Sequence, residues 1–307
     1  MYWLVIGGIL LLFLFMYNHY QFNQAEQKFP ASGKFVSVDG IRLHYYTTGR
    51  EGDPPVVFLH GGLLSGNDFR HVMEQAAVQG YQAFAFDRPG YGYSERPKQA
   101  EPEEQARLIR DALIALGVER PVLVGHSWSG LLVLAYALQY PDELAGVVSL
   151  GGGMYKEGYP AAKGDVISAA VTTPMIGPTI LRTMLAVVGP VLSDRILTAT
   201  FAPEEVPQDY RLEARALWLR PEHFRANRED VLQFLPAVTR LSDKYNQISL
   251  PLVIAVGADD PFDTREHSSR LHQEVSHSQL LVWEGIAHMI PQLHPSLVWD
   301  AVAKITN

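Results

Sequence analysis

The sequence predicts an α/β fold: a mostly parallel sheet with helices on both faces and a helical lid inserted late in the chain. Short apolar runs carry that expectation, at Pro55 to His60, Tyr81 to Asp87, Pro121 to His126, Leu144 to Leu150, Pro251 to Gly257 and Leu280 to Trp283. They are continuous rather than alternating, the pattern of strands buried on both faces. Stretches with helical spacing, His71 to Gln79 and Glu103 to Leu116, separate the early runs. Between the fourth and fifth runs, roughly a hundred residues abandon the alternation, too many for a bare loop. Apolar residues make up 47% and charged residues 19% of the 307, which is globular usage with material for a sizeable core.

Residues Met1 to Tyr17 carry no charge, and as a helix they reach roughly 26 Å at ~1.5 Å per residue, close to the ~30 Å hydrocarbon core of a bilayer. Trp3, Tyr17 and Tyr20 stand where interfacial aromatics belong. A cleaved signal peptide wants a basic start and small residues after the apolar run; Met1-Tyr2-Trp3 and Asn18-His19-Tyr20 supply neither. The segment 1–20 therefore reads as an uncleaved single-pass membrane anchor, ahead of a buried helix or a removed signal, with residues 21–34 as a tether. Lys and Arg are absent before the span and few after it, beginning at Lys28, so the side of the membrane is not readable.

Phe35 to Val38 and Ile41 to Thr48 alternate in period two about Asp39-Gly40, a hairpin signal. The core then occupies 35–150 and 246–307, around a lid over 151–245. Within the lid, Ile180 to Val188, Gln208 to Leu219 and Glu229 to Leu241 have helical spacing. Met154, Met175, Met184 and Trp218 are candidates for lining a pocket beneath it, or for packing inside it.

A net charge of −8 leaves no basic stripe for phosphate contacts, which sets nucleic acid aside as a partner. With no cysteine, disulfides, thiol catalysis and Cys-based zinc sites are excluded. His267, His272 and His277 are spaced five apart, about 140° between neighbours on a helix rather than one metal-binding face.

Val122 to His126 runs into Ser127, and Trp128-Ser129-Gly130 opens a helical stretch. A serine held on a sharp strand-to-helix turn projects its hydroxyl clear of the sheet, provided the residues two away on either side are small. Gly125 and Ser129 meet that demand, Ser129 standing where glycine is usual. A serine hydroxyl needs a base, and the base an orienting carboxylate. Leu252 to Gly257 ends in Asp259-Asp260, at the strand end where parallel sheets carry functional groups; Asp260 is the expected acid and Asp259 its rival. His288 follows the last apolar run and is the expected base. An oxyanion needs N–H donors: Trp128, after the nucleophile, and Gly62 in Leu59-His60-Gly61-Gly62-Leu63, with Gly61 as the fallback.

The strings HGG, DRPGYGYS, GHSWSG, GADDPF and GIAH, in this order and at these distances, resemble the α/β-hydrolase family, from about Phe35 to the C-terminus. The resemblance implies an α/β-hydrolase fold with a mostly parallel, eight-stranded sheet, and neither a metal nor a cofactor. It makes Asp87, in DRPGYGYS, a structural residue after the second parallel strand. Family members with an aspartate at the elbow open epoxides or remove halides; Ser127 argues against both. The expected activity is ester hydrolysis through an acyl-enzyme on a small-molecule or lipid-like substrate. The same triad also serves aminopeptidases, thioesterases, perhydrolases and carbon–carbon bond hydrolases, and a non-catalytic ligand sensor could share the fold. An aminopeptidase would want an acidic patch for the substrate amine, for which Glu204, Glu205 and Glu213 are candidates.

Overall fold

A computed structural model describes residues 2–159 and 164–306; Met1 of the apolar run, residues 160–163 of the expected lid and Asn307 lie outside the described residues. The strands are β1 (Lys34–Val38), β2 (Ile41–Thr48), β3 (Pro55–Leu59), β4 (Gln82–Phe86), β5 (Val122–His126), β6 (Gly146–Leu150), β7 (Leu252–Gly257) and β8 (Gln279–Trp283). They form one sheet in the order β1-β2-β4-β3-β5-β6-β7-β8. β2 runs antiparallel to β1 and β4, and every later pairing is parallel.

Alternate residues of the central strands face opposite sides, as the period of a strand requires. Val57, Leu59 and Leu123 join one core cluster with Leu108 and Ile109 of one helix and Leu132 of another. Val56, Phe58 and Val124 join a second cluster with Val72, Trp299 and Val302. The helices of the body are α2 (Arg70–Met73), α3 (Ala76–Gln79), α4 (Pro102–Ala115), α5 (Ser129–Gln139), α11 (Thr264–Glu274), α12 (Ile290–Leu293) and α13 (Pro295–Thr306); α6 (Val166–Thr172), α7 (Ile176–Thr183), α8 (Leu185–Phe201), α9 (Gln208–Leu217) and α10 (Pro221–Leu241) make the insertion between β6 and β7, and α1 (Tyr2–Lys28) precedes the hairpin. The helical pattern over His71 to Gln79 is broken into α2 and α3, which bury Val72, Met73 and Ala76 on the second cluster.

Two expectations about the ends of helices change. The pattern from Ile180 to Val188 is not one helix: α7 and α8 meet at Met184 with a bend of 83°. Backbone groups freed at a helix break need partners, and the buried Asn18 supplies them. Its Nδ2 donates to Leu181 O at 2.9 Å, and its Oδ1 accepts from Ala186 N–H at 2.6 Å. The second change is the tether. Residues 21–28 continue α1, and a stripe of Leu14, Asn18, Gln21, Phe22, Ala25 and Phe29 turns away from solvent, with Phe22 and Phe29 packed against the apolar cluster of the insertion. Spacing of three and four residues put these side chains on one helix face, and the polar residues between them disguised it.

Candidate active site

β5 delivers Ser127 at φ +55° before α5 begins, a backbone conformation that costs a non-glycine residue about 1–3 kcal/mol and persists only where its surroundings enforce it. The enforcement is visible. Ser127 N–H donates to Leu150 O at 3.0 Å, and Ser127 O accepts from Gly130 and Gly153 N–H at 2.9 and 3.0 Å. A Cβ on Gly125 would sit 2.2 Å from Ser129 O, so glycine is required there. Ser129 tolerates the usual glycine position because its hydroxyl donates to His60 O at 2.6 Å in a fully buried pocket.

The sheet edge brings Ser127, Asp260 and His288 together. His288 Nδ1 lies 2.7 Å from Asp260 Oδ2, and His288 Nε2 lies 2.9 Å from Ser127 Oγ. A carboxylate only accepts, so Nδ1 carries the proton and Nε2 is free to accept from the serine hydroxyl. Burial works to raise the Asp260 carboxyl, but the His288 ring and the Phe262 N–H outweigh it and hold the acid below its ordinary value. Asp259 is exposed and its backbone N–H goes to Ile286 O; its side chain is not the one on His288. Behind the ring, His126 Nε2 bonds His288 O at 2.9 Å. Burial pushes His126 down to about 3, so it stays neutral and its Nε2 is the N–H donor.

Gly62 and Trp128 line the same pocket as Ser127, and among the described residues neither of their backbone N–H groups donates a hydrogen bond. The Gly62 carbonyl accepts from Asn227 Nδ2 at 2.6 Å. The Gly62 N–H shares its planar trans peptide with the Gly61 carbonyl, which Arg88 Nη2 holds at 3.0 Å, so that N–H points the opposite way. A Cβ on Gly61 would sit 3.4 Å from Ser127 Oγ. Asp87 accepts from His44 Nδ1, Gly66 N–H and Tyr93 N–H, bonds that lock the loop rather than face the pocket.

The pocket has a volume of about 540 Å³, and Leu63, Tyr159, Ile167, Trp218, Phe234 and Phe262 give it a mostly apolar wall. A larger cavity of about 860 Å³ lies between α1 and the Tyr93–Arg220 region, without any of the three residues above. Of the candidate lining residues only Trp218 lines the pocket. Met154 is buried against Ser149 Oγ beneath the site, while Met175 and Met184 face solvent. Two of the acidic candidates, Glu204 and Glu213, are used elsewhere. Glu204 accepts from Ala287 N–H at 3.1 Å and pairs with His294 Nε2 at 2.5 Å; Glu213 accepts from Asn67 Nδ2; and none of Glu204, Glu205 and Glu213 lines the pocket.

Sequence reasoning missed the polar network that holds this edge to the insertion. Arg88, fully buried, donates to His60 O and Gly61 O, to Gln105 Oε1 and to Asp230 Oδ2 on α10. The arginine inside DRPGYGYS was the available signal, because an Arg is almost never buried unpaired. Its partner was invisible at 142 residues' separation.

Comparisons with known proteins agree with this architecture. A family model described as alpha/beta hydrolase fold matches residues 54–295. A 2-hydroxy-6-oxononadienedioate/2-hydroxy-6-oxononatrienedioate hydrolase of Burkholderia vietnamiensis is 27% identical, over 84% of this chain and 90% of its own length. Epoxide hydrolase A of Mycobacterium tuberculosis is 35% identical over 120 residues, only 38% of this chain and 37% of that protein. The crystal structure of Cfl2 from Burkholderia cenocepacia superposes with a TM-score of 0.75 at 20% identity, over 89% of this chain and 95% of that one. With the sheet order and the elbow already described, the match over 54–295 settles the family: this chain belongs to the alpha/beta hydrolase fold family.

Proposed function

We propose that this protein is a hydrolase, a serine esterase held at a membrane by α1. The observation that carries the reading is the relay from Asp260 through His288 to the hydroxyl of Ser127, at 2.7 and 2.9 Å, opening on an apolar pocket. Ser127 Oγ attacks the carbonyl carbon of an ester while its proton passes to His288 Nε2. The tetrahedral oxyanion is stabilised by the N–H groups of Gly62 and Trp128. Collapse breaks the bond to the leaving oxygen, which takes the proton from His288 and departs as an alcohol. Water then attacks the acyl-Ser127 ester with His288 again as base, releasing the acid and restoring the hydroxyl. Asp260 keeps the imidazole in the required tautomer and stabilises its cation. The exposed apolar residues Tyr2 to Phe13 support the membrane attachment, and the apolar wall supports an acyl chain as the bound part of the substrate.

A second reading, carbon–carbon bond hydrolysis, is favoured by two observations: Arg228 lines the pocket, and a relative that spans most of the chain is named for a dioate substrate. One experiment tests both. The membrane fraction is treated with a fluorophosphonate probe for wild type, Ser127→Ala and His288→Ala, then assayed with aryl esters of increasing chain length, aminoacyl anilides and a ring-fission dicarboxylate. Labelling and ester turnover in wild type alone are expected. Labelling with turnover of the dicarboxylate only would replace the esterase by the second reading, and equal labelling of Ser127→Ala would overturn the serine assignment.

A further inference from the structure

We propose that the face formed by α7 and the start of α8 is embedded in the near leaflet of the bilayer, and that the substrate is a membrane-dissolved acyl ester entering the pocket from that leaflet. This rests on reading α1 as an anchor and deepens it. The first observation is where α1 meets the body. Tyr2 to Phe13 are exposed, Leu14 is half-buried, and Asn18 is buried at the α7–α8 break, bonded to Leu181 O and to Ala186 N–H. At ~1.5 Å per residue the joint at Asn18 lies only about 8 Å along the helix from the exposed apolar stretch. An embedded α1 therefore draws the insertion down with it.

The second observation is that the part drawn down is built for it. From Val166 to Ser193 the only charged residue is Arg182, which is paired at the edge with Glu222. Met175, Ile176, Val187, Val188 and Val191 are exposed on this segment beside α1. An apolar helix face seated at the headgroup boundary sinks ~5–10 Å, a depth that reaches the acyl chains of the near leaflet. The third observation joins this face to the chemistry. Val166 and Ile167 on α6, which packs against α7, are 84% and 48% exposed and line the pocket that holds Ser127. An acyl chain thus passes from the leaflet to the nucleophile along apolar side chains without crossing water.

The absence of cysteine makes a direct test clean. Full-length Leu10→Cys, Val188→Cys and Val78→Cys variants, each labelled with an environment-sensitive fluorophore, are reconstituted in phosphatidylcholine vesicles containing lipids that carry a quencher near the headgroup or near the chain end. Quenching is expected at position 188 by the shallow quencher, at position 10 by the deep one, and by neither at position 78, which is exposed on α3 of the body. Quenching at 10 without quenching at 188 overturns this inference and leaves the anchor standing; no quenching at 10 overturns the anchor itself. Crosslinking of Val188→Cys to a second copy in detergent would assign the face to a dimer and also overturn it. In the activity arm, Val188→Asp with Val191→Asp is expected to lose several-fold in turnover of a long-chain ester dissolved in vesicles and to keep wild-type turnover of a short soluble aryl ester. Unchanged turnover of the vesicle ester, or the same loss on both, refutes the entry route.

Discussion

Replacing Asp230 by alanine should destabilise the protein and slow it together. The carboxylate is 1% exposed and sits on α10 of the insertion, accepting from Arg88 Nη1 at 2.7 Å, Arg96 Nη2 at 2.8 Å, Tyr91 OH at 3.0 Å and Gln105 Nε2 at 3.1 Å. Its removal leaves Arg88, which is fully buried, with no counter-charge, and breaking a buried pair from one side costs about 3–5 kcal/mol. That is a large share of a typical total of about 5–15 kcal/mol. With ~2.1 cal/mol/K of unfolding entropy per residue over 307 residues, the melting entropy is about 0.6 kcal/mol/K and Tm falls by roughly 5–8 °C. Arg88 also holds the carbonyls of His60 and Gly61, each at 3.0 Å, and its guanidinium lies 4.2 Å from the Trp128 ring. Loosening it displaces both proposed oxyanion donors, and kcat/KM on the best aryl ester should drop on the order of 10- to 100-fold. Differential scanning fluorimetry and steady-state kinetics on the detergent-solubilised chain read both effects, and Asp230→Asn, which keeps an acceptor oxygen, should recover part of each. A Tm within about 2 °C of wild type would refute the reasoning, since the ion pair would then contribute almost nothing.

Asp68, fully buried against Tyr210 of α9 at 2.9 Å, has its carboxyl pushed up to about 8 by burial against the Tyr210 hydrogen bond, with Glu213 and Asp87 adding to the rise. The folded state keeps a proton that the unfolded chain releases above pH ~4, so stability falls as pH rises from ~4 through ~8. Asp68→Asn cannot ionise, and its Tm should overtake that of wild type towards pH 8; parallel Tm–pH curves would contradict this. Glu204→Ala frees the Ala287 N–H next to His288 and the ring of His294, and should cost roughly 1–3 kcal/mol and lower kcat with little change in KM, because Glu204 does not line the pocket. Gly125→Ala puts a Cβ 2.2 Å from Ser129 O and 2.6 Å from Val133 Cγ1. Overpacking of that kind costs about 1–3 kcal/mol, and the displaced Ser127 should label more slowly with fluorophosphonate than wild type in a time course.

The local sequence was sufficient for the sheet and for the three residues on its edge, because each is announced within a dozen residues. A continuous apolar run marks a strand covered on both faces, and a small-residue turn after such a run marks the elbow at Ser127. Asp260 and His288 follow later strands whose ends the topology must gather at the same edge. Asp260 and Asp259 were separable only once the strand end was built and one carboxylate met His288 Nδ1.

What only the tertiary structure decided are pairings between segments that carry no local sign of one another. The α10 carboxylate that neutralises Arg88, the insertion carboxylate that supports the His288 loop and the asparagine of α1 that fills the α7–α8 break are separated in sequence from their partners by 142, 83 and 168 residues. Residues 21–28 looked like a polar tether because their buried face is a stripe of three- and four-residue spacing rather than a run. Periodicity reports that a helix has a face to bury; what lies against that face is set by loop closure and packing across the whole chain, and those are properties of the fold.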